Sequence, residues 1–345
     1  MLLIAKRWCT PGAWLRHSRH RSQGLALAYW RSTSTFFAVR SYELRSMRTL
    51  ITGATGLTGG WFLQRLAVAA PQAEVVCLVR PTGDRAALEE LDLKLKFAVG
   101  DSSEATSWKQ AIAQWEPDTI VHLAQLRHVP PLLASLRQLD RQPRAIVIGT
   151  TGVFSRYNEY SRAYKAAEAE LEQYPGSTCL LRPTMIYGSP RDKNIHKLVR
   201  FCDRYGLFPV FGPGNNLLQP VHADDLAQAL LSVWQCPDIE GAYDLSGGTV
   251  VSFRELLQLV GSCLGKPVRL VSLPYQIGVW AATTAEFLLG DRSPVRREQI
   301  LRLQEDKAFS HAAAQQDFGF APRSLPEGLE QEIELMRQAG LTAKI

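Results

Sequence analysis

From Met47 onward, short apolar runs alternate with longer amphipathic stretches. TLITGA at 49–54 reads as a strand and GLTGGWFLQRLAVAA at 56–70 as a helix. EVVCLVR at 74–80 reads as the next strand, SWKQAIAQW at 107–115 as a helix, and DTIVHLA at 118–124 as a strand. VPPLLASLRQL at 129–139 then predicts a helix, RAIVIGTTGVF at 144–154 a strand with its trailing loop, and SRAYKAAEAELEQY at 161–174 a helix. STCLLRPTMIYG at 177–188 is again a strand and loop. Strands this uniformly apolar, separated by helices, predict a parallel sheet covered on both faces. Right-handed crossovers then make a doubly wound α/β sheet, a Rossmann fold, the natural topology.

After about residue 185 the rhythm changes. Turn-rich loops (SPRDKN, FPVFGPGNN, SGGTV) separate helical stretches at 197–206 and 223–234. VSFRELLQLVGSCLG predicts a further helix, with Ser252 and Glu255 as a capping box. PYQIGVWAATTAEFLLG is the most apolar helix; a buried or groove-lining position is the commoner explanation, and a partner or membrane-surface contact through 276–289 is the other. REQILRLQEDKAFS and LPEGLEQEIELMRQAG read as ordinary solvated helices. The expected organisation is a basic extension over 1–46, a dinucleotide-binding core over 47–184, and the remaining core strands with a small, discontinuous substrate-side region over 185–345.

Charge refines this picture. The net charge is +6, yet residues 1–46 hold eight basic side chains against the single acid Glu43, leaving the other 299 residues one negative charge in excess. A near-neutral body offers no footprint for a phosphate backbone, so no nucleic-acid partner is expected. The extension has three readings: translation from an upstream start that is not the native one, an arginine-rich targeting leader, or a genuine flexible or membrane-surface arm. No apolar run reaches the roughly twenty residues of a spanning helix. The six cysteines are scattered without ligand spacing, so neither a disulfide framework nor a metal site is expected, and a reducing, cytoplasmic location fits.

The chemistry begins at Gly53-Ala-Thr-Gly56-Leu-Thr-Gly59, between the first strand and first helix. One glycine permits a tight reversal, a second lets a phosphate approach the backbone, and a third lets helix pack on strand. The helix N-terminus then faces a diphosphate. Arg80 closes the second strand, twenty-four residues after Gly56, where an acid normally binds the adenosine ribose; a cation there favours NADP over NAD. Asp101, after the third strand, is placed for the adenine amino group.

TGATGLTG at 52–59, GD at 100–101, HLA at 122–124, TTGVF at 150–154, Lys165, RPTMIYG at 182–188, QPVHADD at 219–225 and YDLSGG at 243–248 together resemble the extended short-chain dehydrogenases/reductases, the NAD-dependent epimerase/dehydratase group. The resemblance covers almost all of 48–335. It is most similar to the atypical branch akin to the nucleotide-binding accessory subunit of respiratory complex I. It implies a dinucleotide held by Gly53, Thr55, Gly56, Leu57, Gly59, Arg80, Asp101, Leu123, Ala124, Lys165, Pro183 and Met185. It further implies a Ser/Thr–Tyr–Lys arrangement, in which Thr150 matches the hydroxyl residue and Lys165 the lysine that lowers a phenol pKa. The tyrosine is missing: Ser161 stands four residues before Lys165. Tyr160 and Tyr164 are the nearest phenols, at about 140° and 100° from Lys165 around an ideal helix, with Tyr157 a further alternative. Two functions stay open. One is an NAD(P)-dependent oxidoreductase or epimerase acting on a small carbonyl or alcohol substrate; the other is a non-catalytic NAD(P)-binding protein with a structural, assembly or sensing role.

Overall fold

A computed structural model describes residues 47–192, 194–290 and 296–342. The 1–46 extension lies outside the described residues. Seven strands form one wholly parallel sheet: β1 (Arg48–Thr52), β2 (Glu74–Val79), β3 (Leu95–Val99), β4 (Thr119–His122), β5 (Arg144–Ile148), β6 (Thr178–Pro183) and β7 (Gly241–Leu245). Their order across the sheet is β7-β6-β5-β4-β1-β2-β3. The chain therefore runs outward from β1 to one edge, then returns to β4 and runs outward to the other. The resulting crevice lies between the carboxyl ends of β1 and β4, where such sheets bind ligands.

Each face of the sheet carries its own core. Phe62, Leu63 and Leu66 of the helix Leu57–Ala69 join Leu226, Leu230 and Trp234 of the helix Ala223–Gln235 on one side. On the other, Trp108, Ile112, Leu132, Leu136, Ala167 and Leu171 pack from the helices Ala105–Trp115, Val129–Leu139 and Ser161–Glu172. Trp234 is fully buried, and its indole N–H donates to Thr49 Oγ1 at 3.1 Å. Arg144 donates to the carbonyls of Val233, Cys236 and Ile239, so a buried cation closes the carbonyl end of the helix Ala223–Gln235, where a positive charge is favoured.

A third core forms away from the sheet. Val199, Cys202, Leu257, Val260, Leu329, Ile333 and Met336 pack together from the helices Ile195–Tyr205, Phe253–Cys263 and Leu325–Gln338. The Ser252–Glu255 capping box is present.

Two expectations are corrected. The stretch 297–310 is not one helix: helical structure ends at Gln304, and 305–310 is non-helical. Asp306 accepts from the Leu217 N–H there, and the Lys307 N–H donates to the Leu217 carbonyl, which draws this chain across the molecule. The helix Tyr275–Leu289 is not buried. Only Gly278 and Ala282 are enclosed, while Ile277, Trp280, Phe287 and Leu288 stand in solvent, Trp280 at 78% and Phe287 at 88% exposure. No helix among the described residues is long and apolar enough to cross a membrane.

Candidate functional site

The chain leaves β1 through Gly53, whose φ of +73° is strained for any other residue. A Cβ there would stand 2.8 Å from the Leu123 carbonyl carbon and 2.9 Å from the Ala124 nitrogen. The end of β4 thus forms the floor under the turn. At Gly59 a Cβ would overlap the Gly53 carbonyl oxygen and lie 2.8 Å from Ala54 Cα, so the helix Leu57–Ala69 sits directly on the turn. Gly56 caps that helix with no side-chain hydrogen bond, and its first turn holds no acid. Its leading N–H groups therefore have no anionic side chain as a competitor for a bound phosphate. Gly53, Gly56, Leu57, Gly59, Leu123 and Ala124 come together in one cradle floored by backbone, which fits a dinucleotide diphosphate.

The carboxyl ends of β2 and β3 adjoin it. A Cβ on Gly83 would lie 3.9 Å from Thr55 Cγ2, so the loop that follows Arg80 rests on the glycine turn, with Arg80 itself exposed. Asp101 Oδ1 accepts from both the N–H and hydroxyl of Ser103 at 2.8 Å. Those bonds hold its carboxyl below the usual range, with smaller contributions from His128 and Arg80. One oxygen of Asp101 is thus committed to the turn before the helix Ala105–Trp115.

Beyond the end of β5, Thr150 caps a short 3-10 turn, Thr151–Phe154, with Oγ1 accepting from Gly152 N at 3.0 Å. The Thr151 hydroxyl donates to the Pro183 carbonyl at 3.3 Å, tying this turn to the end of β6. Lys165 is exposed and lines an open cavity of ≈ 490 Å³ with Ser155, Asn158, Glu159 and Ser161. Asn158 Nδ2 donates to the Gly152 carbonyl at 3.4 Å, so the cavity adjoins the turn that Thr150 caps. Ser161 fills the tyrosine position but is buried, its hydroxyl donating to Val153 O at 3.2 Å.

The phenols do not join this group. Tyr160 precedes the helix and stacks beside Tyr164 at 6.2 Å between centroids, with the Arg127 guanidinium 5.4 Å from its ring centre. Tyr164 packs against the core under the helix Val129–Leu139, and burial raises its pKa, weakening it as an acid. Neither lines the cavity beside Lys165.

The loop that follows β6 is built by long-range pairing. Val221 N donates to the Met185 carbonyl at 2.9 Å, and strands 186–187 and 221–222 run parallel. His222 caps the helix Ala223–Gln235 through Nδ1, and burial, with repulsion from Arg323, pushes its pKa down to about 4. Asp224 is held between Arg65 and Arg323, each at 2.6 Å. It is a first-turn acid of that helix, and its charge is already matched.

Sequence reasoning missed two features here. Glu305 accepts from the Ser155 hydroxyl at 2.6 Å and from Arg156 N at 2.7 Å, while Phe309 packs on Phe154 at 5.5 Å. The extended 305–309 segment thus lies across the turn that carries Thr150. It also contains Lys307, whose amine burial pulls down to about 8. A second cavity of ≈ 300 Å³ is lined by Phe211, Asn216, Tyr275, Leu303 and Asp306, where Asn216 Nδ2 and the Tyr275 hydroxyl are buried without a partner. Its walls come from three distant stretches of chain, so no local pattern announces it.

Comparison with known proteins agrees with this geometry. Residues 49–133 match the NAD dependent epimerase/dehydratase family. The chain is similar to NADH dehydrogenase [ubiquinone] 1 alpha subcomplex subunit 9, mitochondrial, of Arabidopsis thaliana, at 26% identity over 46% of this chain and 42% of that protein. It is likewise similar to short-chain dehydrogenase/reductase family 42E member 1 of Danio rerio, at 27% identity over 42% of this chain and 41% of the relative. The chain thus spans less than half the length of these relatives. The fold is that of the UDP-glucuronic acid 4-epimerase from Bacillus cereus, solved with UDP-glucuronic acid and NAD, with a TM-score of 0.66 at 17% identity over 85% of this chain and all of the other. The sheet order, the glycine cradle and these matches agree: residues 49–133 form an NAD-dependent epimerase/dehydratase family domain, and the chain is similar to extended short-chain dehydrogenases/reductases.

Proposed function

We propose that the chain binds a nicotinamide dinucleotide, with NADP(H) preferred, and works as an oxidoreductase or epimerase on a small carbonyl or alcohol substrate. The observation that carries this is the cradle in which Gly53 and Gly59 leave backbone alone beneath an uncapped helix N-terminus. Gly53, Thr55, Gly56, Leu57 and Gly59 would hold the diphosphate, Arg80 and Asp101 the adenosine end, and Leu123, Ala124, Lys165, Pro183 and Met185 the nicotinamide half. When bound, the dinucleotide supplies hydride exchange with a substrate carbon. Thr150 orients the substrate oxygen and Lys165 places a positive charge beside it. Since Tyr160 and Tyr164 turn away and the Lys165 cavity is open, the proton comes from solvent through that cavity. The second cavity, with its unpartnered Asn216 amide and Tyr275 hydroxyl, suits a substrate rich in oxygen. Buried thiols at Cys77, Cys179 and Cys202 suit a reducing compartment such as the cytoplasm.

Titration of the full chain with NADPH and NADH tests the cofactor assignment. Arg80→Asp is expected to weaken NADPH by at least tenfold more than NADH, and equal losses would remove Arg80 from 2′-phosphate recognition. Incubation with a panel of carbonyl compounds, following loss of the reduced nicotinamide absorbance, tests turnover.

A second reading is favoured by one observation, the apolar face of Ile277, Trp280, Phe287 and Leu288 left in solvent. Exposed patches of this kind mark contact sites. Under that reading the dinucleotide stabilises a docking protein, NADPH raises the melting temperature by linkage, and no carbonyl compound is reduced.

A further inference from the structure

The loop at 188–192 joins the substrate side to the glycine turn, and its tip carries an arginine with no part in the reading above. The Arg191 Nη2 donates to the Thr55 carbonyl at 3.1 Å. That carbonyl belongs to the residue immediately before Gly56, the cap of the helix whose N–H groups face the diphosphate position. Arg191 is exposed, and this bond engages one of its five N–H donors.

The rest of the loop is held rigidly from below. Gly188 N donates at 3.0 Å to Oε2 of Glu332, whose fully buried carboxyl is carried by the helix Leu325–Gln338. Asp192, next to Arg191, is also buried. Its carboxylate accepts from Asn194 N at 2.6 Å and His196 N at 3.1 Å. Asp192 also lies beside Glu332, and its charge opposes ionisation of that buried carboxyl. Burial, reinforced by Asp192, raises Glu332 to about 10, so it stays neutral. Gly188 has φ +111°, and a Cβ there would collide with the His222 ring. The backbone under Arg191 is therefore fixed at both ends, and the guanidinium is delivered to Thr55 by the fold.

We propose that Arg191 is a diphosphate ligand of the dinucleotide site, a cation reaching over the glycine turn from the substrate side. The chemistry matches. The glycine cradle supplies neutral N–H groups only, a diphosphate carries two negative charges, and a guanidinium forms paired charge-assisted bonds to phosphate oxygens. Arg80 stands at the adenosine end of the same site, so the two arginines divide the cofactor: Arg80 reads the 2′-phosphate that distinguishes NADP, and Arg191 reads the diphosphate that NAD and NADP share. This assignment rests on the dinucleotide reading above.

Affinity of the full chain for NADPH and for NADH, measured by calorimetric titration at two salt concentrations, provides the test. Arg191→Ala is expected to weaken both by a similar factor, about tenfold, and to lessen the loss of affinity with added salt. Arg191→Lys is expected to fall between, because it retains the charge without the fork. Arg191 is exposed, so the melting temperature of the ligand-free variant should match the unsubstituted chain. Affinities within twofold of the unsubstituted chain for both dinucleotides would overturn the proposal. A loss confined to NADPH would overturn it too, moving Arg191 to the 2′-phosphate. If the unsubstituted chain binds neither dinucleotide, the cofactor reading itself fails and the assignment falls with it. If that chain binds and Arg191→Ala is silent, only the assignment fails.

Discussion

Two adjacent glycines in one helix make opposite predictions. Gly59 and Gly60 both lie in the helix Leu57–Ala69. A Cβ on Gly60 meets nothing within 4 Å, so Gly60→Ala collects only the helix-propensity gain, about 0.5–1 kcal/mol. A Cβ on Gly59 overlaps the Gly53 carbonyl oxygen and lies 2.8 Å from both Cα and O of Ala54. All of these are backbone atoms at the end of β1, which cannot rotate aside. The helix itself must lift, and it carries Phe62, Leu63 and Leu66, each fully buried. Overpacking of this kind costs about 1–3 kcal/mol, so after the propensity gain Gly59→Ala should lose up to about 2 kcal/mol. The propensity gain is common to both, so the two variants should differ by the overpacking cost, about 1–3 kcal/mol, although they add the same methyl one residue apart. Guanidinium unfolding read through tryptophan fluorescence measures this, since Trp61 sits in the same helix. Lifting the helix also withdraws its N–H groups from the diphosphate position, so Gly59→Ala should weaken NADPH while Gly60→Ala leaves affinity within twofold. Equal midpoints for the two variants, or a stabilised Gly59→Ala, would refute the close helix–strand approach on which the cradle depends.

The buried Glu332 makes stability depend on pH. Its folded pKa of about 10 stands above the ordinary 4.5, so the folded state holds a proton that the unfolded state releases, and stability is lost as pH rises across that window. Glu332→Gln cannot ionise yet keeps an acceptor for Gly188 N. Its melting temperature should gain on the unsubstituted chain steadily between about pH 5 and 9, and a gap that does not change with pH would show that Glu332 is not protonated in the fold. Lys307 behaves oppositely, because burial lowers its pKa from 10.5 to about 8. The unfolded state holds more protons between those values, so this residue adds stability as pH rises through them, and Lys307→Met should flatten that rise. Competitive acetylation read by mass spectrometry should find the Lys307 amine titrating well below the exposed lysines, whereas an ordinary titration would place it in water.

The alternation of apolar strands with amphipathic helices, the glycine turn and the Ser252–Glu255 capping box were all legible in the sequence. Each is decided by residues within a few positions of one another, where backbone sterics and side-chain periodicity act alone. That is also why TGATGLTG could be placed between a strand and a helix, whereas the missing tyrosine at Ser161 was visible only through the resemblance to short-chain dehydrogenases/reductases. The features that give the site its character depend on contacts the chain makes far from itself. Arg191 meets Thr55 across 136 residues, and Gly188 meets Glu332 across 144. Glu332 looked like one more charge on a solvated helix, because nothing near it in sequence reports that Asp192 will bury against it. The 305–310 stretch has helical composition, but its bonds to Ser155, Arg156 and Leu217 draw it out into extended chain. Tyr160 and Tyr164 were near enough to Lys165 in sequence to invite a catalytic role, and the helix start at Ser161 turned them toward Arg127 instead. Local propensity thus determined which elements form, while the packing of those elements decided which charges are buried, which are paired and which reach the crevice, since desolvation and pairing exist only once distant segments meet.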